Sequence, residues 1–444
     1  MNIKEVIHKI DLTLYITPIL LSVIGLIFLH SALSLSPEAP ILIRKQIVSL
    51  ALGIVLMLIF SVISYRIYSM FIWLLYFFSI LLLLIVLVLG VSFRGCRGWL
   101  NLGIFYFQPA EIAKIVYILL LADYLSLWSI KEVNNIKVLI VPILLSFSYL
   151  LPIILQPDVS SALLFFPPLL GMLYFSGVSV VKFIYIFVFT AFLLLKPLVS
   201  CFSQLTPSPF HKNFLLLLYN FLNLPFLAKL TIIVLFFLFL LLLLDKILKN
   251  SFVARYRKHV FVLYFVITFG IIISCVIDNW LKDYQRKRLF SFLAPELDPL
   301  GAGYNVIQSK IAIGSGRIFG KGLFQGTQGR LGFLPAKHSD FIFSIIGEEM
   351  GFCGSLIVLI LFFILIYRVL VTAYNARDKF GTLISIGIAY LLGINIVLNI
   401  GMVIGLLPII GVPLPFVSYG GSALVANFIM IGILQSIYIR RRGY

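Results

Sequence analysis

From residue 12 onward the chain returns again and again to mainly apolar stretches separated by short polar breaks. Each approaches the roughly 20 residues that one α-helix needs to cross a bilayer. Barrel strands would be shorter and would alternate in hydrophobicity, so helices are the spanning elements. Composition agrees: 62% of the 444 residues are hydrophobic and 11% are charged, more apolar surface than a soluble core could take in. The sequence therefore predicts an all-α integral membrane protein. It reads as a polytopic helical bundle of about 10–12 transmembrane helices, with a large extracytoplasmic loop before the last three.

Spans are expected near 12–32, 46–63, 70–92, 109–127, 138–156, 159–176, 182–199, 226–245, 260–279, 341–367, 382–404 and 422–439. FLLLLYNFLNLPF at 214–226 is too short to cross comfortably and contains Asn220, Asn223 and Pro225, which places it at the interface. The first apolar run is too long for a cleaved signal peptide and lacks a small-residue cleavage site, so it is expected to stay as the first helix. No internal repeat is evident. Residues 1–444 read as one polytopic membrane domain with a long loop at 280–340.

Orientation follows from Lys and Arg in the short loops. NIKEVIHK at the start, KEVNNIK at 131, DKILKNSFVARYRKH at 245 and RRRGY at the end all fall on one side if the spans alternate. That side is the cytoplasm, and both termini lie there. The net charge of +18 then reflects topology and contact with anionic lipid. No basic block is interleaved with aromatics for base stacking, so no nucleic-acid partner is expected. Cys96, Cys201, Cys275 and Cys353 lack metal-ligand spacing. Only Cys96 and Cys201 could both face outward, and no disulfide is expected.

The outer loop carries Lys310, Arg317, Lys321, Arg330 and Lys337 among glycines that let the backbone approach a ligand. It is either a solvated connector or a working segment, and loops of this length favour the second. Glu111, Asp158 and Asp340 all fall in or just before the first turn of helices running from outside to inside. Each has a capping alternative. Lys114 lies one turn below Glu111, so the two can pair at i and i+3. A charge turned toward lipid costs on the order of 3 kcal/mol at the helix centre, so this face is expected to line a cavity. Several helix N-termini with basic neighbours would suit a phosphate or pyrophosphate. Asp340 at the rim could accept a proton from a substrate hydroxyl. The residues alone lean toward glycosyl transfer from a lipid pyrophosphate rather than transport, and hydrolysis would favour a carboxylate pair flanking one bond.

RGWLNLGIFYFQPAEIAK, QPDVSSA, FLPAKHSDFIFSIIGEEMGF and NIGMVIGLLPIIGVPLPFVSYGGSALVANF occur in an order and spacing that covers most of the chain. Together they resemble the SEDS family, the shape, elongation, division and sporulation proteins of bacterial cell-wall synthesis. YQRKRLFSFLAPELDPLGAGYNVIQSKIAIGSG and GKGLFQGTQ are more similar to its rod-shape branch than to its division branch. The resemblance implies a peptidoglycan glycosyltransferase in the bacterial cytoplasmic membrane, its active site facing outside. It would polymerise lipid II, the undecaprenyl-pyrophosphate disaccharide pentapeptide, during cell elongation. The implied partners are a class B penicillin-binding protein and other elongation-complex membrane proteins. The family's catalytic aspartate maps onto Asp340, and its substrate-site glutamate, lysine and QPD aspartate onto Glu111, Lys114 and Asp158. Arg97, Lys310 and Lys321 are further candidates for the pyrophosphate charge. No cofactor is implied, except that a divalent cation at the pyrophosphate stays open.

Two features depart from the family pattern. It usually has ten spans, whereas an extra helix pair falls within about 200–260 here. QPDVSSA has Ser160 and Ser161 where glycine and threonine are more usual. Of the remaining polar residues, His338 is expected to be a hydrogen-bonded neighbour rather than a chemical participant. Adjacent Glu348 and Glu349 point about 100 degrees apart on a helix, so one is expected to face a cavity or hold the loop and the other to meet water or headgroups. GLLPIIGVPLPFVSYGGS either shapes a substrate groove or packs as a re-entrant turn. Ser418 and Ser422 have no companion base in the sequence, so no serine nucleophile is expected. The rival readings are a lipid II flippase and a non-catalytic scaffold for the transpeptidase. A flippase needs access from both sides, whereas these acids cluster at one end of their helices.

Overall fold

The computed structural model describes residues 10–93, 96–101, 103, 106–193, 195–196, 199, 233, 236–237, 251–280, 303–334 and 337–441. Most of the expected span at 226–245, the interfacial stretch at 214–226, the first part of the outer loop and Cys201 lie outside the described residues. Helices occupy the other predicted runs. They are α1 (Leu12–Leu33), α2 (Ala39–Val62), α3 (Arg66–Met70), α4 (Ile72–Leu89), α5 (Pro109–Ser126), α6 (Ile136–Leu155), α7 (Val159–Leu163) and α8 (Phe166–Ser176). After them come α9 (Val180–Leu193), α10 (Ser251–Trp280), α11 (Tyr304–Ser315), α12 (Thr327–Arg330), α13 (Ile342–Asn375), α14 (Lys379–Val403) and α15 (Gly421–Ile439).

Among the described residues eight segments are long and apolar enough to cross a membrane, so this is a multi-pass membrane protein. Helix α5 has 18 residues but carries Glu111, Lys114 and Asp123, which lowers its hydropathy. Side chains start several helices by occupying first-turn N–H groups. The Asp11 carboxylate accepts from Thr13 N at 3.0 Å, Asn135 from Lys137 N at 3.1 Å and Asp378 from Gly381 N at 2.9 Å. Helix α2 begins seven residues before the apolar run suggested, because the helix continues through polar Arg44, Lys45 and Gln46. The expected span at 159–176 is broken into α7 and α8, and a proline lies in the first turn of α8, where its missing N–H costs no helical bond.

The described chain divides into two compact units, residues 1–178 with 305–444, and residues 179–304. In the first, α15 packs along α2, α13 against α14 and α1, and α14 against α5 and α8. Helix α15 is central: 89% of its apolar window is buried, against 22% for peripheral α4, whose remaining face is left for lipid. In the second unit α9 packs on α10. The Tyr185 hydroxyl lies 2.6 Å from His259 Nδ1, and Lys196 N donates to Ser274 Oγ at 2.9 Å.

Two features escaped the hydropathy pattern. A small antiparallel sheet joins α4 to α5, with β1 (Val91–Phe93) pairing β2 (Cys96–Asn101), which pairs β3 (Tyr106–Phe107). Helix α13 is kinked at Gly351, with φ 65°. Only glycine takes that angle readily, and a Cβ there would lie 2.4 Å from Gly320 N. The kink brings the 316–322 backbone onto the helix: Lys321 N donates to Glu348 O and Gly322 N to Glu349 O, both at 3.0 Å. Phe352 N donates back to Arg317 O at 2.9 Å.

One pole of the first unit is basic. Arg66 pairs with Asp378 at 2.8 Å, Arg368 with buried Asp11, and Arg440 donates to Val62 O at 2.6 Å. These contacts tie α3 to the start of α14, the start of α1 to α13, and the end of α15 to the end of α2. Helix α15 has 19 residues. At 1.5 Å per residue it is about 28 Å long, close to the hydrocarbon thickness of a bilayer. Its first residue therefore lies at the opposite face.

Candidate functional site

Helices α5, α7, α13 and α15 all begin at that opposite face, and polar side chains knit their starts together. Gln108, just before α5, donates through Nε2 to Asp158 Oδ2 at 3.0 Å, while its N–H donates to Ser422 Oγ at 3.0 Å. Ser422 donates onward to Tyr106 O at 2.7 Å. Ser418 donates to Ser339 O at 2.6 Å, and Tyr419 N donates to His338 O at 3.0 Å. Unpaired N–H groups and aligned dipoles make this cluster of helix starts electropositive.

Asp158 is buried as the N-cap of α7. Its carboxylate accepts from Ser161 N at 3.0 Å, from Ser161 Oγ at 2.7 Å and from Gln108. It is thus both a cap and the cross-link between α7 and α5. Glu111 and Lys114 form a buried ion pair at 2.8 Å, 7% and 4% exposed as residues. The pair lines a narrow cavity with Asn395, Ser418 and Asn427. The Pro- and Gly-rich segment 404–420 forms another wall of that cavity, and its Leu414, Phe416 and Val417 are buried. It is both a packed turn and a cavity wall. Gln46 of α2 grips it by donating to Ser418 O and accepting from Gly420 N, both at 3.3 Å.

Asp340 sits half-buried at the entry to α13. Its backbone carbonyl accepts from Asn399 Nδ2 at 2.9 Å. Its carboxylate faces Gly411 of the re-entrant segment, where a Cβ would lie 3.4 Å from Asp340 Oδ2 and 3.9 Å from Ser160 Oγ. Gly411 has φ 78°, so this close wall suits glycine.

The other candidate cations separate. Arg97 is exposed on β2, and its N–H donates to Gln156 O at 3.2 Å beside the Asp158 turn. Lys310 is exposed on α11, and its side chain lies against Gly405 at the start of the re-entrant segment. Lys321 is engaged by Glu348 at 2.7 Å and by Thr327 Oγ1 at 2.9 Å, which makes it part of a loop anchor. Lys337 donates to Gly329 O at 2.6 Å, and burial pushes its ammonium pKa down from the usual lysine range. The His338 ring packs edge-on to Tyr419 at 5.7 Å.

One sequence expectation is corrected. Glu348 and Glu349 were read as dividing between protein and water, but both are buried, at 0% and 1% exposure. Each holds the loop, because residues 316–329 cover both faces. Glu348 accepts from Lys321 Nζ, Thr327 N, Thr327 Oγ1, Gln328 N and Gly329 N. Glu349 accepts from Ser31 Oγ and Phe324 N.

Sequence reasoning also passed over Lys45, whose ammonium lies 5.2 Å from the Tyr106 ring centroid, next to the Ser422 contact. The available signal was the Arg44–Lys45 pair near the outer start of α2, where the positive-inside rule leaves few basic residues. The Cys96 thiol donates to Pro157 O at 3.1 Å, beside the Asp158 turn. Among the described residues no cluster of three His, Cys, Asp or Glu side chains could hold a metal ion.

The Lys114→Met substitution is expected to lower stability by about 3–5 kcal/mol, because Glu111 is left charged and unpaired in the interior. Adding Glu111→Gln should recover most of that loss, read as the melting temperature of purified protein. Equal losses in the single and double variants would show that the pair is not coupled.

The family model FTSW_RODA_SPOVE, described as "Cell cycle protein", matches residues 11–207 and 209–443. The chain is 33% identical over 433 residues to the peptidoglycan glycosyltransferase MrdB of Escherichia coli K12, covering 96% of this chain and 95% of that one. It is 33% identical over 453 residues to the peptidoglycan glycosyltransferase RodA of Treponema pallidum, covering 98% and 99%. Its fold matches a solved chain described under "structural coordination of polymerization and crosslinking by a peptidoglycan synthase complex". That match has a TM-score of 0.64 and 27% identity, and covers 97% of each chain.

Proposed function

The chain belongs to the FtsW, RodA and SpoVE family and is a peptidoglycan glycosyltransferase, and from that premise we propose that it polymerises lipid II at the outer face of the bacterial cytoplasmic membrane during elongation, with Asp340 as general base. The observation that carries this reading is the gathering of four helix starts around Asp340, at the pole opposite the basic one. The positive-inside rule assigns the basic pole to the cytoplasm, which supports an outward-facing Asp340.

In this reading the acceptor sugar's 4-hydroxyl attacks the anomeric carbon of the donor. The new O–C bond forms as the bond from that carbon to the pyrophosphate oxygen breaks, with inversion. The hydroxyl proton passes to the Asp340 carboxylate, and the electron pair leaves with undecaprenyl pyrophosphate. Helix N-termini, the exposed Arg97 and Lys310, and Lys45 are the groups assigned in this reading to stabilise that leaving charge. Glu111, Lys114 and Asp158 act by holding the helix starts in place. A divalent cation would arrive as the counter-ion of the pyrophosphate. The likeness to a chain of a synthase complex supports a class B penicillin-binding protein as the partner.

Reconstituted protein given labelled lipid II should extend glycan strands without moving the lipid between leaflets. Movement without strands would favour the carrier reading. Transpeptidase binding with neither activity would favour a scaffold.

A further inference from the structure

We propose that Ser160 and Asn399 are positioning residues, which together fix the Ile410–Val412 backbone as the wall facing the Asp340 carboxylate. This inference rests on the reading of Asp340 as base and deepens it.

Asn399 is fully buried in α14, and its NH2 group divides between two carbonyls, Asp340 O at 2.9 Å and Val412 O at 2.7 Å. Only the amide nitrogen can donate twice, so the orientation of the side chain is set by these partners. One group thereby couples the backbone at 340 to the wall at 412. From the other side Ser160, in the first turn of α7, donates to Ile410 O at 2.5 Å. The carbonyls at 410 and 412 are thus held from two different helices. Gly411, between them, faces the carboxylate.

The Asn399 Oδ1 atom is buried without a hydrogen-bond partner among the described residues. An apolar side chain of similar size would avoid that desolvation cost, so packing alone does not account for an amide here. Its two donated bonds do. Neither Ser160 nor Asn399 needs to touch substrate. Each holds a strap that sets where the base can sit, and displacing a reacting group by about 1 Å can cost on the order of 10²-fold in rate. Ser160 also follows Asp158 by two residues, so the Asp158 cap that builds the first turn of α7 also aims the Ser160 hydroxyl.

The test is steady-state polymerisation of lipid II by full-length protein with its transpeptidase partner. Ser160→Ala is expected to lower kcat about 10-fold, with KM within about twofold and the melting temperature unchanged. Ser160→Thr keeps the hydroxyl and should restore most of the rate. Asn399→Leu, of similar size but without donors, should lower kcat further at unchanged KM. A Ser160→Ala variant with normal kcat overturns the proposal. So does a loss in either variant that only tracks the folded fraction. The two readings fail differently: an active Asp340→Asn variant refutes the base, whereas an inactive Asp340→Asn variant beside a fully active Ser160→Ala variant refutes the strap alone.

Discussion

Asp340→Asn is expected to lower glycan polymerisation by about 10²–10⁴-fold while leaving lipid II binding within about twofold. Asparagine matches aspartate in size and cannot take the acceptor's proton at neutral pH, so the substitution separates chemistry from shape. The fold should tolerate it, because the substitution keeps the side chain's size and leaves the backbone carbonyl that accepts from Asn399 Nδ2 in place. Gly411 presents no side chain that would collide with the amide. Asp340→Glu keeps the charge but pushes it one methylene toward the Gly411 wall, so a partial loss is expected. Gel-resolved glycan strands measure the rate, and binding of labelled lipid II measures the ground state. More than a tenth of normal polymerisation in Asp340→Asn would remove the general-base role. An equal loss of binding and rate would make this carboxylate a substrate contact instead.

The parts of this site that the sequence made legible are those whose partners are close in the chain. Glu111 and Lys114 are one turn apart, so helical spacing alone brings them together. Asp158 precedes the first turn of α7, so its capping of Ser161 N follows from local geometry. The apolar runs were long enough to mark most helices. What stayed hidden depends on contacts far along the chain. Glu348 and Glu349 looked incompatible on a helical wheel because a wheel considers one covering surface. Here the loop at 316–329 wraps both faces, and it can do so because Gly351 bends the helix. Lys321 looked available for a pyrophosphate because its partner Glu348 lies 27 residues away. The sheet at 91–107 was missed because its strands have three, six and two residues, too short for a period-2 pattern. Lys45 falls just outside the apolar run at 46–63, so hydropathy gives it no role, and only the approach of Tyr106 from β3 shows what it meets.

Glu348→Ala is expected to release the loop that leads to Asp340 and to lower polymerisation at least as far as it lowers loop protection. The Glu348 carboxylate is wholly buried, and its acceptor capacity is taken up by one ammonium, one hydroxyl and three backbone N–H groups. It also lies at the start of α12, where a negative charge satisfies N–H groups that a helix cannot pair internally. Removing it leaves those donors without a partner and strips Lys321 of its counter-charge. Breaking a buried pair of this kind costs about 3–5 kcal/mol. The loss should be local, because the backbone contacts at Lys321, Gly322 and Phe352 remain and α13 is otherwise packed against α1 and α14. Amides of residues 316–330 should therefore exchange faster by a factor of about 10²–10⁴, the fold-change that corresponds to those 3–5 kcal/mol. Those in α15 should not change. Glu348→Gln keeps one acceptor oxygen and should fall between the two. Fast exchange in the loop with normal polymerisation would mean that Asp340 is held by Asn399 and the re-entrant segment without help from this anchor. Unchanged exchange would mean that the paired backbones at the Gly351 kink hold the loop by themselves.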